Sequence, residues 1–315
     1  MAELLVDQRV QFDVIEADAD FHRYRLIVVP DGLDVSVGLA QRLTDYVHHG
    51  GAILAFGSSA MVAGEAETWL PMLDIELHGR SPFTPAYLLP GDELSRLLPY
   101  FEYALYNGTW EWTIPNGKAT DTVLAWVGVP AFQRSPEHYT SHAQSPYSHA
   151  TSFVAVAHNG PVAAASFDLG SAYYSTGYWP YRLIFASLLD RVLPRRLIRS
   201  SAPGSAEISI TQQVVDGRQR WLVHIVNYST GRRWGPRLER FEDSIPISNV
   251  VVCVDVASSI DRAWNAETGE SYTVRQLGSA QDCDDASARL VEIVVPLVDT
   301  NCLVVLESST TAKDT

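Results

Sequence analysis

Cysteine is scarce in this sequence, and long apolar segments are missing from it. The 315 residues include three cysteines, Cys253, Cys283 and Cys302, whose spacings fit neither a disulfide framework nor a zinc cluster. The start of the chain has neither the basic nor the apolar region of a signal peptide. No apolar run approaches the ~20 residues that a membrane span needs. These absences predict a cytoplasmic protein with reduced thiols and no membrane partner.

Positive charge is also in short supply. The chain has 23 Lys and Arg against 37 Asp and Glu, which gives a net charge of −14. Because the phosphate groups of nucleic acids and anionic lipids would be repelled, this charge argues against both as partners. A neutral oligosaccharide is compatible with it. No motif for a cofactor is present, and we expect none.

Residues 1–197 alternate strand-like and helix-like segments. The apolar run at residues 24–33 predicts a strand buried on both faces, residues 35–51 have apolar positions at helical spacing followed by glycine, and residues 52–56 predict the next strand. This βαβ order predicts parallel neighbouring strands. The chain opens instead on a helix and a short strand at residues 12–16, so the first strand of such a domain is missing from its front.

The pattern changes after residues 198–206, a segment of Ser, Pro, Gly and Ala that predicts a linker. Beyond it, two alternating segments flank Asp216-Gly217, the signature of a tight β-hairpin, and three more apolar strands follow. We therefore predict an antiparallel β-sandwich over residues 207–309. Residues 310–315 are expected to be a disordered tail.

Residues 12–60 read FDVIEADADFHRYRLIVVPDGLDVSVGLAQRLTDYVHHGGAILAFGSSA. This segment resembles the β-galactosidase trimerisation domain of family-42-type glycosidases. One subgroup, bacterial glycosyl hydrolases that include α-L-fucosidase-like members, resembles residues 130–194. That subgroup carries the phrase F-x-R-x-x-E-H-x-x-S-H, formed here by Phe132, Arg134, Glu137, His138, Ser141 and His142. The likeness extends from about residue 10 to 308. It implies a flavodoxin-like parallel-sheet domain, similar to class I glutamine amidotransferases, followed by a β-sandwich.

In that family the catalytic carboxylates lie in an N-terminal (β/α)8 barrel of ~250 residues, which this sequence does not contain. The resemblance therefore implies a fragment, a mis-called start or a shortened homologue. Its role would be non-catalytic: assembling and shaping an active site within a homo-oligomer, a trimer in this family, or with a barrel-bearing subunit. The whole enzyme would hydrolyse a β-galactoside or an α-L-fucoside.

The turn after residues 52–56 has the form of a nucleophile elbow, which presents Ser or Cys at the carboxyl end of a parallel strand. The amidotransferase resemblance places Gly57 at the position of the catalytic cysteine, next to Ser58 and Ser59. Residues 167–179, where the resemblance expects the partner histidine, contain none. We interpret the elbow as a structural turn, and a hydrolase acting through Ser58 is the alternative.

Residues 136–149 gather Glu137, His138, His142 and His149. A helical His138/His142 pair could bind a metal ion, but prolines bracket the segment and no third ligand is evident, so no metal site is predicted. The segment is either a loop held by hydrogen bonds or a loop that reaches a glycosidase cleft. In the second case Glu137, His138 and His142 are the catalytic candidates.

Aromatic residues offer a further possibility, a carbohydrate-binding module. Trp110 and Trp112 share one side of a predicted strand near Tyr106, and their rings could stack on sugar faces. Tyr139 is a third candidate for substrate contact. A packed face beneath the sheet is the alternative for the two tryptophans.

Overall fold

The computed structural model describes residues 1–65, 67–98, 102–115, 122–139, 145–228, 244–256, 258–277 and 289–311. The helices are α1 (Ala2–Asp7), α2 (Val37–His48), α3 (Leu169–Thr176) and α4 (Trp179–Val192). The strands are β1 (Leu26–Val29), β2 (Ala52–Phe56), β3 (Glu76–Arg80), β4 (Ala86–Pro90), β5 (Tyr103–Leu105), β6 (Trp110–Thr113), β7 (Val123–Pro130), β8 (Tyr147–Asn159), β9 (Val162–Ala165), β10 (Ile198–Ser200), β11 (Ala206–Val215), β12 (Arg218–Asn227), β13 (Ile247–Val256), β14 (Ile260–Asn265), β15 (Ser271–Tyr272), β16 (Arg275–Leu277), β17 (Arg289–Val298) and β18 (Asn301–Thr311).

The chain divides into two compact units. Met1 and residues 14–194 form the first, and residues 2–13 with 195–315 form the second. The sequence pattern had placed residues 2–13 with the first domain. They join the second because the Arg9 guanidinium donates hydrogen bonds to the carbonyls of Ala202 and Pro203.

The first unit contains a seven-stranded mixed sheet in the order β1-β2-β9-β8-β7-β4-β5 and a two-stranded sheet of β3 and β6. The predicted βαβ unit is confirmed, since β1 pairs in parallel with β2. Helix α2 begins where the Ser36 side chain accepts a hydrogen bond from the Leu39 N–H at 3.2 Å, a standard N-cap. It then buries Ala40, Leu43 and Val47.

The prediction of a parallel sheet holds only for β1, β2 and β9. The other four strands pair antiparallel, from β8 against β9 to β5 against β4. The reason is local: β8 and β9 are separated by Gly160, at φ +55°, and Pro161, and two residues allow a hairpin but not a crossover.

The strand predicted at residues 12–16 is also wrong. These residues have no regular structure. Phe12, Asp13, Val14 and Glu16 are all exposed and only Ile15 is partly buried, so the apolar alternation in the sequence does not correspond to alternating burial.

The second unit contains α1 and two antiparallel sheets, β10-β13-β17-β16 and β11-β12-β18-β14-β15. Their buried side chains form one hydrophobic cluster, in which Val223 and Ile225 of one sheet join Val252 and Ile293 of the other. The predicted hairpin is confirmed: β11 and β12 pair across a two-residue turn.

Two other predictions for this unit concern the linker at residues 198–206 and the disordered tail at residues 310–315. The segment 198–206, predicted as a linker, contains β10, which pairs with β13. Of the predicted tail, residues 310 and 311 continue β18, and residues 312–315 lie outside the described residues. Within the described ranges, no helix combines the length and apolarity needed to cross a membrane.

The turn between β11 and β12 supplies a first test. Asp216 and Gly217 have φ of +52° and +78°, as a type I′ turn requires. Gly217→Ala is expected to lower the free energy of unfolding by about 1 kcal/mol, because an L side chain disfavours that conformation. Gly38 lies in α2 with open space around it and no positive φ, so Gly38→Ala is the matched control and is expected to raise it by about 0.4–1 kcal/mol. Urea denaturation measures both, and a loss of equal size at the two positions would contradict the turn assignment.

Candidate functional site

The carboxyl ends of β1, β2 and β9 form one edge of the seven-stranded sheet, named here the carboxyl edge. Asp31 follows β1, Gly57 and Ser58 follow β2, and Asp168 follows β9. In open α/β sheets, ligands bind outside the carboxyl ends of parallel strands. The carboxyl edge is therefore the first candidate for a ligand-binding or catalytic site.

Gly57 leaves no room for a side chain at the elbow. Its φ is +54°, and a Cβ built on it would lie 1.8 Å from the Asp168 Oδ1. Non-bonded atoms do not approach so closely, since optimal contacts between carbon atoms are near ~3.5–4.0 Å. The position that the resemblance assigned to a catalytic cysteine is thus filled by the carboxyl group of Asp168.

Asp168 is held in an environment that disfavours its charge. The Ser58 backbone N–H hydrogen bonds to the carboxyl group, while the buried Oδ1 has no hydrogen-bond partner within the described part of the chain. Burial raises the pKa of Asp168 above its ordinary value, and the negative charge of Asp31 raises it further. Arg80 and the Ser58 hydrogen bond act in the opposite direction, and burial prevails.

Asp31 has partners that the sequence did not reveal. Its carboxylate accepts hydrogen bonds from the Gly170 N–H at 3.0 Å, the Ser171 N–H at 2.9 Å and the Ser171 hydroxyl at 2.6 Å. These donors belong to the first turn of α3, where a carboxylate satisfies free N–H groups and favours the helix dipole. The Ser171 hydroxyl also lies 3.5 Å from the Asn107 side-chain nitrogen.

Ser58 and Ser59 differ in role. The Ser59 hydroxyl is fully buried, donates to the Pro30 carbonyl at 2.5 Å and accepts from the Leu33 N–H at 2.9 Å. It therefore ties the end of β1 to the end of β2. Ser58 is partly exposed, and its hydroxyl has no hydrogen-bond partner among the residues described. A serine nucleophile needs a hydrogen-bonded base, which this arrangement does not provide.

The loop that follows β7 leaves its candidate residues in solvent. Glu137, His138 and Tyr139 are exposed. The His138 ring stacks on Phe132 at 4.7 Å, and the Ser135 hydroxyl donates to Glu137 Oε2 at 3.0 Å.

The other two histidines of residues 136–149 are His142 and His149. His142 lies outside the described residues, and His149 is on β8 with its Nδ1 3.1 Å from the Ser148 hydroxyl. Across the described ranges, no group of three His, Cys, Asp or Glu side chains could hold a metal ion.

The aromatic candidates lie in different surroundings. Trp112 is fully buried in the core of the first unit, which leaves neither ring face open to a ligand. Trp110 is partly buried, with the Arg80 guanidinium 5.5 Å from its ring centre. Tyr106 packs edge-on against Tyr178 at 5.4 Å. Tyr139 is 73% exposed.

Residues 3–73 match the β-galactosidase trimerisation domain family. This match confirms the resemblance drawn from residues 12–60. No curated protein sequence matches the chain.

Solved structures extend the likeness over almost the whole chain. α-L-Fucosidase isoenzyme 2 from Paenibacillus thiaminolyticus superposes with a TM-score of 0.83 at 20% identity, over 98% of this chain and 44% of that one. A GH42 β-galactosidase from G. stearothermophilus superposes with a TM-score of 0.52 at 15% identity, over 98% of this chain and 35% of the β-galactosidase chain. The β-galactosidase from Rahnella sp. R3 superposes with a TM-score of 0.53 at 14% identity, over 96% of this chain and 35% of the Rahnella chain. At these identities the likeness shows the fold, and the chain spans less than half the length of each enzyme.

The contact between Gly57 and Asp168 can be tested by a double-mutant cycle. Gly57→Ala is expected to lower the free energy of unfolding by about 1–2 kcal/mol for the positive φ and by about 1–3 kcal/mol more for overpacking. In an Asp168→Ala background only the first cost should remain. Gly64, at φ +81° with open space around it, is the matched control, and Gly64→Ala should carry the φ cost alone. Equal losses at both glycines, unaffected by Asp168→Ala, would rule out the contact.

The pKa of Asp168 predicts a pH dependence. Since the folded-state pKa is raised above the ordinary 3.8, ionisation of Asp168 destabilises the fold as pH rises through the folded value, and the penalty is absent at pH values below 3.8. Asp168→Asn keeps an acceptor for the Ser58 N–H and removes the charge. The stability of this variant relative to the wild type should therefore increase between acid and neutral pH, as measured by urea denaturation at a series of pH values. A difference that falls with pH would contradict the assignment.

Proposed function

We propose that this chain is the non-catalytic, assembly and active-site-shaping portion of a bacterial glycoside hydrolase of the β-galactosidase or α-L-fucosidase-like class. The observation that carries the proposal is the closed elbow, in which the Asp168 carboxyl group occupies the space that a nucleophile on Gly57 would need. The family match and the fold of the similar enzymes support the class.

The carboxylates of the carboxyl edge are engaged in the fold. Glycoside hydrolysis requires a pair of carboxyl groups facing a sugar across a gap of ~5–9.5 Å. Asp31 is committed to three hydrogen bonds at the start of α3, and Asp168 lies on the Gly57 backbone with a buried Oδ1. We therefore assign neither of them to catalysis and expect the acid and the nucleophile to lie on another part of the enzyme.

We infer that the first unit is a flavodoxin-like domain related to class I glutamine amidotransferases whose nucleophile has been lost. The parallel β1-α2-β2 unit and the positive φ of Gly57 at its elbow support this. The two antiparallel sheets of the second unit, with their shared core, fit a β-sandwich.

We propose that the chain assembles with copies of itself, as a trimer, or with a barrel-bearing subunit. The substrate of the assembled enzyme would be an oligosaccharide with a terminal β-galactoside or α-L-fucoside. The similar structures are enzymes that act on such sugars, as their names state. The exposed Glu137, His138 and Tyr139 are the residues through which the chain would shape a neighbouring cleft. A reducing cytoplasm is part of the proposal, since Cys253 and Cys302 are free thiols.

Hydrolysis assays test this function directly. The purified chain alone, incubated with a panel of nitrophenyl glycosides that includes α-L-fucoside and β-D-galactoside, is expected to release no nitrophenol above the buffer rate. Ser58→Ala and Glu137→Gln variants, purified in the same way, are the matched controls. Turnover by the wild type that either variant abolishes would overturn the proposal and assign a complete active site to this chain.

A further inference from the structure

Three arginines surround one buried carboxylate on the five-stranded sheet of the second unit. Glu307 on β18 has a side chain that is 3% exposed, and its oxygens lie 2.7 Å from Arg220, 3.3 Å from Arg218 and 3.7 Å from Arg262. Arg220 on β12 and Arg262 on β14 are the direct cross-strand neighbours of Glu307, so the three side chains share one face of the sheet. These four residues are named the arginine cluster.

The arginine cluster carries a net positive charge, because one carboxylate stands among three guanidinium groups. Burial by itself would raise the pKa of Glu307, but the Arg220 hydrogen bond and the charges of the three guanidinium groups lower it below its ordinary value. Glu307 is therefore a carboxylate that offsets one of three cations. The side chains of Arg218 and Arg262 are 48% and 69% exposed, and a guanidinium has five N–H donors, so donors remain for an outside anion.

Packing holds the arginine cluster in place before any partner arrives. The guanidinium carbons of Arg220 and Arg262 lie 5.4 Å and 5.1 Å from the ring centre of Trp264, within the range of cation–π attraction. Side chains fixed in this way lose less conformational entropy on binding. In a chain with a net charge of −14, this local excess of positive charge on a sheet face favours an acidic partner.

The first unit presents a matching acidic surface, the segment from residue 16 to 20. Glu16, Asp18 and Asp20 are exposed there, and the Glu16 and Asp18 carboxylates have no partner among the described residues. The Arg42 guanidinium donates hydrogen bonds to the backbone carbonyls of Ala17 and Ala19, which fixes the backbone. This segment, named the acidic loop, is held in shape with its carboxylates in solvent.

We propose that the acidic loop of one copy docks on the arginine cluster of a second copy, and that this contact assembles the homo-oligomer. The inference rests on the assembly role given under the proposed function. Opposite charges on two preformed surfaces steer association and fix its register. Because one chain carries both surfaces, two copies can exchange the contact reciprocally about a two-fold axis, and three or more copies can pass it head-to-tail around a closed ring.

Sedimentation equilibrium on the full chain tests this contact with charge-removal variants. Arg218→Gln with Arg262→Gln removes two exposed charges and leaves the 2.7 Å Arg220–Glu307 pair intact. Glu16→Gln with Asp18→Asn removes the opposing charges. Each double variant is expected to raise the dissociation constant by about tenfold or more, with an unchanged circular dichroism spectrum. Arg275→Gln, at a 72% exposed position paired with Glu292, and Glu65→Gln, at an exposed position, are the matched controls and should leave it unchanged.

The combination of all four substitutions makes the test specific. If the two surfaces contact each other, the fourfold variant should dissociate no more readily than either double variant, because each already removes the same interaction. Raising the salt concentration should raise the dissociation constant of the wild-type oligomer and leave that of the fourfold variant nearly unchanged, because the variant lacks the charges that salt screens.

Three outcomes would overturn the contact and separate it from the proposed function. A wild type that is monomeric at all concentrations refutes both the contact and the assembly role. An oligomer that the double variants leave intact refutes the contact alone. An intact oligomer in which only the arginine variant loses binding to a polyuronate assigns the arginine cluster to an anionic carbohydrate instead.

Discussion

The contact between the Gly57 backbone and the Asp168 carboxyl group constrains the whole carboxyl edge of the parallel strands. With an Asp168 oxygen 1.8 Å from where a Cβ would be, any side chain at the elbow would have to displace the Asp168 carboxyl group, and the left-handed φ of +54° also favours glycine. The central position of the turn therefore carries no side chain, and the Asp168 carboxyl group lies against it.

The polar groups around this contact serve the fold through long-range hydrogen bonds. Asp31 binds donors 139 and 140 residues further along the chain, and the Ser59 hydroxyl joins the ends of β1 and β2. Such bonds join the ends of β1 and β2 to each other and to α3. Polar groups committed to hydrogen bonds in this way are consistent with the proposed role of shaping another active site.

Local patterns predicted most of the secondary structure, because apolar periodicity and turn residues act over short distances. They identified α2, β2 and the hairpin at Asp216-Gly217, and the family likeness indicated an α/β unit followed by antiparallel strands. They did not predict that β8 returns antiparallel to β9, which depends on a two-residue turn at Gly160 and Pro161. Nor did they pair Asp31 with α3 or place Asp168 over Gly57, since those contacts join residues more than 100 positions apart. Asp168 lies three residues beyond the end of β9 and Asp31 two residues beyond the end of β1, and this position past the carboxyl end of a strand is the feature that the two residues share.

The most direct test of the closed elbow is intact-mass spectrometry after incubation with two kinds of covalent probe. A fluorophosphonate labels activated serines, and 2-deoxy-2-fluoro glycosides trap the nucleophile of retaining glycosidases as a glycosyl-enzyme. The closed elbow predicts that the chain keeps its unmodified mass with both probes. A single adduct on Ser58, Asp31 or Asp168 would contradict it, and a single adduct on Glu137 would contradict the non-catalytic role proposed for the chain.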